Sequence, residues 1–331
     1  MFQNNQIMNS FGRILKISIY GESHGPEIGM ILDGCPSGIE ISESNFTNDI
    51  KRRAPEKEGT TSRKESDIPM IKSGIYKSFS TGSPIAISFL NSNIKSEDYS
   101  FDGFHRPGHA DFTAKVKYKG YSNPLGGGHF SGRLTLPLVA AGVIAKKIIP
   151  EINIHAQLIE AGGVKDIEKA IATAIKENDS IGGVVECKVS NIPTGFGEPF
   201  FDSVESLISH AAFSIPGLKA IEFGEGIKSA QSKGSEFNDA YTKLDGQTKT
   251  NKSGGINGGI SNGNDIYFKL YFKPSSSIGK SQETLNFNTN KIENFSIIGR
   301  HDACYALRVP VVVEAITALV LADLFLIDKN L

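Results

Sequence analysis

The residues best suited to chemistry in this chain sit in five glycine-bearing segments. Three of them set histidine beside a carboxylate or an arginine. These are "GESHGPE" around His24, "FHRPGHADF" with His105, Arg106, His109 and Asp111, and "IGRHDAC" with Arg300, His301 and Asp302. Two more, "GGGHFSGR" (His129, Arg133) and "SGGINGGISNG", are richer in glycine. Glycine lets backbone N–H groups approach an anion closely and tolerates positive φ. Histidine moves protons near neutral pH, and arginine grips a dianion with two parallel hydrogen bonds. Together they fit an anionic, phosphate-bearing small substrate handled with proton transfers. A metal site fits poorly, because the one H-x-x-x-H, from His105 to His109, is broken by "RPG". The segment "KPSSSIGK", residues 273 to 280, sets consecutive hydroxyls between lysines and reads either as a phosphate cradle or as a solvated turn. It lacks the spacing of a P-loop, and no G-x-G-x-x-G follows a strand, so a Rossmann nicotinamide site is unsupported.

Arginine is used sparingly. Of 35 basic residues only eight are arginine, and six of these (Arg52, Arg53, Arg106, Arg133, Arg300, Arg308) fall in segments bearing glycine or histidine. Lysine serves where generic charge suffices, so these six are candidates for flat, bidentate contacts to phosphate or carboxylate. Arg13 and Arg63 read equally well as surface residues.

"GESHG" also matches the G-x-S-x-G of serine hydrolases. That motif needs a strand, a sharp turn and then a helix. Here Pro26 and the β-branched run "IGMILDG" follow instead, and no histidine comes after Asp302 to complete the usual order Ser, Asp, His. Ser23 and His24 read as a polar pair on a loop after a strand.

The supporting frame is ordinary. The chain's 331 residues, 39% of them hydrophobic, can build a real core, and a net charge of −1 argues against a nucleic-acid binder. Cys35, Cys187 and Cys304 lie far apart, as reduced cytosolic thiols do. No signal-peptide pattern opens the sequence, and "VPVVVEAITALVLADLFLI", interrupted by Glu314 and Asp323, reads as a buried helix rather than a membrane span. Strands are expected at 13–20, 28–36 and 83–91, and a helix capped by Ser42 and stopped by Pro55. Residues 56 to 66, polar and without period, read as part of a mobile loop, about 55–66. A short helix is expected from His109 to Gly120, and the middle third alternates strand and helix like two β-α-β units. One α+β domain spanning 1–331, with mixed or antiparallel sheets, is the expected architecture.

Taken in order, "GESHGPEIGMILDGCPSGIEI", "RRAPEKEGTTSRKESD", "FHRPGHADFTAKVKYKG", "GGGHFSGRLT", "SIPGLKAIEFGEG", "GGINGGISNGNDI", "KPSSSIGK" and "GRHDACYALR" resemble the signature segments of chorismate synthases, from about residue 12 to about 325. The resemblance implies a β-α-β sandwich, usually a cytoplasmic homotetramer, that acts on a small molecule and not on nucleic acid or membrane. It implies an anti 1,4-elimination of phosphate from 5-enolpyruvylshikimate 3-phosphate, the last step of the shikimate pathway. Reduced FMN is required, with NADPH as a candidate reductant. It carries catalytic roles onto His24, His109 and Asp302, and substrate contacts onto Ser23, Arg53, Arg106, Arg133 and Arg300. Flavin contacts fall on His129, Phe130, Ser131, Pro216, Gly217, Gly258, Lys273, Pro274, Ser275, Ser276, Ser277 and again Arg300. The family commonly has "GGGRSSARET" where this chain has "GGGHFSGRLT", so His129 and Phe130 replace two polar flavin-side residues.

Overall fold

The structure, a computed structural model, describes residues 9–93, 101–297, 299 and 301–329. Its first half begins with β1 (Ser10–Phe11), β2 (Lys16–Gly21) and β3 (Glu27–Asp33). A 3-10 turn with a capping box on Ser42 then leads into α1 (Thr47–Arg53), and Pro55 follows its end. Residues 56–69 form no helix or strand. Next come β4 (Met70–Ser73), the small hairpin β5 (Ile75–Tyr76) and β6 (Phe79–Ser80), and β7 (Ile85–Leu90). Five of these strands make an antiparallel sheet in the order β1-β2-β3-β7-β4.

The second half opens with α2 (Asp111–Lys117), a triglycine turn and α3 (Thr135–Ile148). It continues through β8 (Asn153–Ala161), α4 (Ile167–Lys176), β9 (Gly183–Ser190), α5 (Val204–Ala212), β10 (Leu218–Phe223) and α6 (Gly234–Phe237). The hairpin β11 (Ile256–Asn257) and β12 (Ile260–Ser261), β13 (Ile266–Phe272), the hairpin β14 (Gln282–Asn286) and β15 (Lys291–Phe295), and α7 (Pro310–Asp328) complete it. Asp166 and Ser203 cap α4 and α5 with side-chain oxygens that accept backbone N–H groups of the first turn.

The second sheet is antiparallel, in the order β10-β13-β9-β8. The expected β-α-β units take an unexpected form. β8 and β9 are antiparallel neighbours despite the helix between them, and β13 wedges between β9 and β10. Helix α3 packs on β2, β3 and β7, helix α7 packs on β8 and β9, and the two helices pack on each other. The fold is therefore α+β, a β-α-β sandwich with its core between the sheets.

Two features hold the helical layer tight. Gly142 of α3 faces Ala315 of α7 so closely that a Cβ there would lie 2.3 Å from the Ala315 Cβ. Two of the three carboxylates of α7, Glu314 and Asp323, are buried and answered. Glu314 receives both Arg52 guanidinium nitrogens at 2.7 Å, Lys146 at 3.1 Å and the Ala156 N–H at 3.0 Å. Asp323 accepts the consecutive backbone N–H groups of Arg13, Ile14 and Leu15, each at 2.8 Å. Arg52 is thus a tie between layers. Burial alone would raise the Glu314 pKa; Arg52, Lys146 and the Ala156 N–H outweigh it and lower it. The three cysteines are free and buried.

Candidate active site

Loops from both halves meet around a cleft of about 520 Å³. One wall is the loop before α2, folded around Asp111, which α2 fixes at its first position. The Asp111 carboxylate takes the backbone N–H of Arg106 at 3.0 Å and its guanidinium at 2.8 and 2.7 Å. It also holds His109 Nδ1 at 2.6 Å. A carboxylate only accepts, so Nδ1 carries the proton and donates it. Arg106 Nη2, 3.0 Å from Nδ1, is then a neighbour rather than a donor to it. Nε2 is left as the ring nitrogen able to exchange a proton with a ligand. Burial pushes Asp111 up, but hydrogen bonds from Arg106 and His109 prevail and hold it well below the usual carboxylate range.

The triglycine turn forms the floor. Gly126 is left-handed, with φ 62°, and a Cβ there would lie 2.6 Å from His24 Nε2 and 2.8 Å from Ser23 Oγ. At Gly127 a Cβ would come 3.4 Å from His109 Nε2. The bare turn thus lets both histidines pack against it. Ser23 lines the cleft and is wholly buried; His24 packs on Gly126 and is not among the lining residues.

Arginines make the second wall. Arg53 is 2% exposed and gives hydrogen bonds to Thr135 Oγ1, Asp67 and the carbonyls of Gly132 and Arg133. Burial, Arg308 and Arg133 push its pKa down to about 9 against the pull of Asp67, so it stays charged at neutral pH. With four of its five donors turned inward, Arg53 contributes charge rather than the expected two-pronged grip. Arg133 pairs with Asp67 and donates to Asn91 Oδ1 at 2.9 Å and to the Leu90 carbonyl at 3.3 Å, leaving two N–H groups for a ligand. Asp302 accepts the Thr61 N–H at 2.8 Å and faces Arg308 at 3.3 Å. Tyr305 lies among these groups, its phenol pushed up to about 12, chiefly by burial.

The third wall is the turn from Lys273 to Ser277, with Pro216 and Gly217. Lys273 Nζ donates to Ser276 Oγ at 2.6 Å, Ser276 Oγ donates to the Gly108 carbonyl at 2.8 Å, and Ser277 Oγ accepts from Arg106 at 3.1 Å. Burial and nearby Lys219 lower the Lys273 pKa. His129, Phe130 and Ser131 close the rim. His129 Nδ1 donates to the Gly21 carbonyl at 2.9 Å, and Phe130 is 39% exposed.

Most of the residues expected at a site therefore share one cleft. Gly258 does not: it sits in the β11–β12 turn and is absent from the cleft lining. Arg300 lies outside the described residues. His105 packs against Phe112 and Phe287 instead of the cleft. Thr61, Arg63 and Glu65 of the polar segment expected as a loop line the cleft, as does Asp67 just beyond it. Arg63, equally a surface residue by composition, donates to Ser23 Oγ at 2.8 Å and to the Ser23 carbonyl at 3.0 Å.

A cleft of this kind, with a carboxylate-held histidine among arginine, lysine and hydroxyl groups, marks a protein suited to a small polyanion. The comparisons narrow that class. The family model for chorismate synthase matches residues 15–326. A chorismate synthase of Chitinophaga pinensis is 53% identical over 325 residues, covering 98% of each chain. One from Sulfurimonas denitrificans is 43% identical over 350 residues, covering 98% of this chain and 97% of its own. A solved chorismate synthase structure superposes with a TM-score of 0.75 at 24% identity, covering 96% of this chain and 93% of its own, a likeness of fold. The chain belongs to the chorismate synthase family.

Proposed function

We propose that this protein eliminates phosphate from 5-enolpyruvylshikimate 3-phosphate to give chorismate, with reduced FMN in the same cleft. The observation that carries the reading is the His109–Asp111 pair at 2.6 Å within an arginine-lined cleft. Two carboxylates and a phosphate give the substrate roughly three to four negative charges near neutral pH. Arg133 offers it two N–H groups, Arg53 and Arg308 add charge, and burial strengthens every contact. Arg106, anchored on Asp111, and Arg300 complete the cationic set in this reading.

In the elimination the C–O bond to phosphate and a ring C–H bond both break: His109 Nε2–H gives its proton to the departing phosphate oxygen, with Asp111 steadying the imidazole through Nδ1, and the ring proton leaves toward the Asp302 side of the cleft. Asp302 and His24 carry the other catalytic roles in this reading and Ser23 a substrate contact, with the His24 ring packed on the bare Gly126 and outside the cleft lining. The cofactor is judged by its donor set. A partly desolvated lysine, the Ser275–Ser277 hydroxyls and the left-handed Gly217, whose Cβ position meets only Lys273 Cγ at 3.9 Å, suit the phosphate end of FMN. When bound, reduced FMN supplies electron density to the C–O bond that breaks. His129, Phe130, Ser131 and Pro216 would line it; Gly258 is not counted among its contacts in this cleft.

The same family reading makes the protein a single-domain, cytoplasmic homotetramer, with NADPH a reductant to be tested. Anaerobic incubation with dithionite-reduced FMN and the substrate is expected to yield chorismate. No chorismate under those conditions contradicts the reading. Replacing dithionite with NADPH tests whether flavin reduction is intrinsic.

A further inference from the structure

Residues 61–67, "TSRKESD", alternate along an extended path. Thr61, Arg63, Glu65 and Asp67 face inward and are half-buried or buried, while Ser62, Lys64 and Ser66 are exposed. Each inward residue fastens a different part of the cleft. The Thr61 N–H donates to Asp302 Oδ1 at 2.8 Å. Arg63 clamps both the side chain and the carbonyl of Ser23. Glu65 accepts from Arg63 at 2.7 Å and, through its other oxygen, from Ser92 N, Ser92 Oγ and Asn93 N at 2.8, 2.8 and 3.0 Å.

Asp67 ends the row. It is 6% exposed, one carboxylate oxygen pairs with Arg133, and the other lies 3.5 Å from Arg53 Nη1. Its φ is 49°, a left-handed backbone that costs a non-glycine residue free energy and persists only where surroundings enforce it. A buried carboxylate shared by two cleft arginines fixes where their charges sit. We propose that Asp67 is a positioning residue: it aims Arg133 at the anionic groups of the substrate, with the inward-turned Arg53 held on its other oxygen. The strap 61–67 is the element that holds Asp67 there. This rests on the reading that Arg133 contacts substrate.

The alternative is that Asp67 only neutralises buried positive charge, and the two accounts predict opposite signs. Asp67→Asn keeps the shape and tolerates left-handed backbone, but makes the cleft one unit more positive. Neutralisation predicts tighter binding of 5-enolpyruvylshikimate 3-phosphate. Positioning predicts binding about tenfold weaker or worse, as when a hydrogen bond to a charged group is lost. Asp67→Glu retains the charge and displaces it; positioning predicts weaker binding there too, and neutralisation predicts wild-type affinity. Should Asp67→Asn fail to fold, Asp67→Glu decides alone. Titration calorimetry on the full chain, with FMN affinity measured in parallel, reads all of this. Weaker substrate binding with unchanged FMN affinity supports the proposal. Unchanged or tighter substrate binding, or loss of FMN affinity in step, overturns it. If the wild-type chain binds no substrate, the functional reading and this inference fall together; if it binds and turns over normally while both variants bind equally well, only the inference falls.

Discussion

His109 takes its direction from a carboxylate two positions along the chain. Asp111 sits at the first position of α2, so the helix start fixes the carboxylate and the carboxylate fixes the ring. Turnover should fall about 10²-fold or more in His109→Ala, with FMN binding retained; unchanged turnover would remove its role. Asp111→Asn should also slow turnover strongly, because an amide no longer dictates which ring nitrogen holds the proton. An unaltered rate would mean the tautomer is set elsewhere. Arg133→Lys should weaken substrate binding despite keeping the charge, since a lysine cannot reach Asp67, Asn91 and a ligand at once. These residues were legible in the sequence because histidine and scarce arginine stand out inside glycine-rich segments. Arg63 and Asp67 were not. Their alternation is real, but both faces of the strap are polar, so no hydrophobic period marks it.

Helices and strands that bury one clean face were legible, as was the cap at Ser42; the side-chain caps at Asp166 of α4 and Ser203 of α5 came from the structure. The order of strands in the second sheet was not. A strand far downstream, β13 (Ile266–Phe272), pairs with both β9 (Gly183–Ser190) and β10 (Leu218–Phe223), and nothing local announces that partnership. The contact of α3 with α7 is equally silent in the sequence, since it rests on the absence of a side chain at Gly142. Gly142→Ala should destabilise the protein by about 1–3 kcal/mol, the usual cost of overpacking. A lowered urea midpoint at unchanged slope would show it; an unchanged midpoint would mean the helices separate freely. Gly126→Ala should do more harm to activity than to folding, since its Cβ would meet the His24 ring and Ser23 at the cleft floor.

Across the whole molecule, buried carboxylates tie the layers together and set the response to acid. Burial raises Glu65, but hydrogen bonds from Ser92 and Arg63 lower it from 4.5 to about 2, and Glu314 is lowered as well. A carboxyl with a depressed folded-state pKa contributes stability that is complete above its unfolded value and lost as pH falls through the folded one. Thermal stability should therefore hold above about pH 5 and decline from about 4.5 toward 2, less steeply in Glu65→Gln. An equally steep decline in that variant would assign the acid response to other groups. The same two-sheet assembly brings loops from both halves of the chain to one cleft, where the proposed reaction expels phosphate as a diene forms. The direct test is to measure chorismate and inorganic phosphate together, anaerobically, with reduced FMN. Equal amounts of both, and neither with FMN kept oxidised, are predicted. Phosphate released without chorismate would make the cleft a phosphatase and contradict the account.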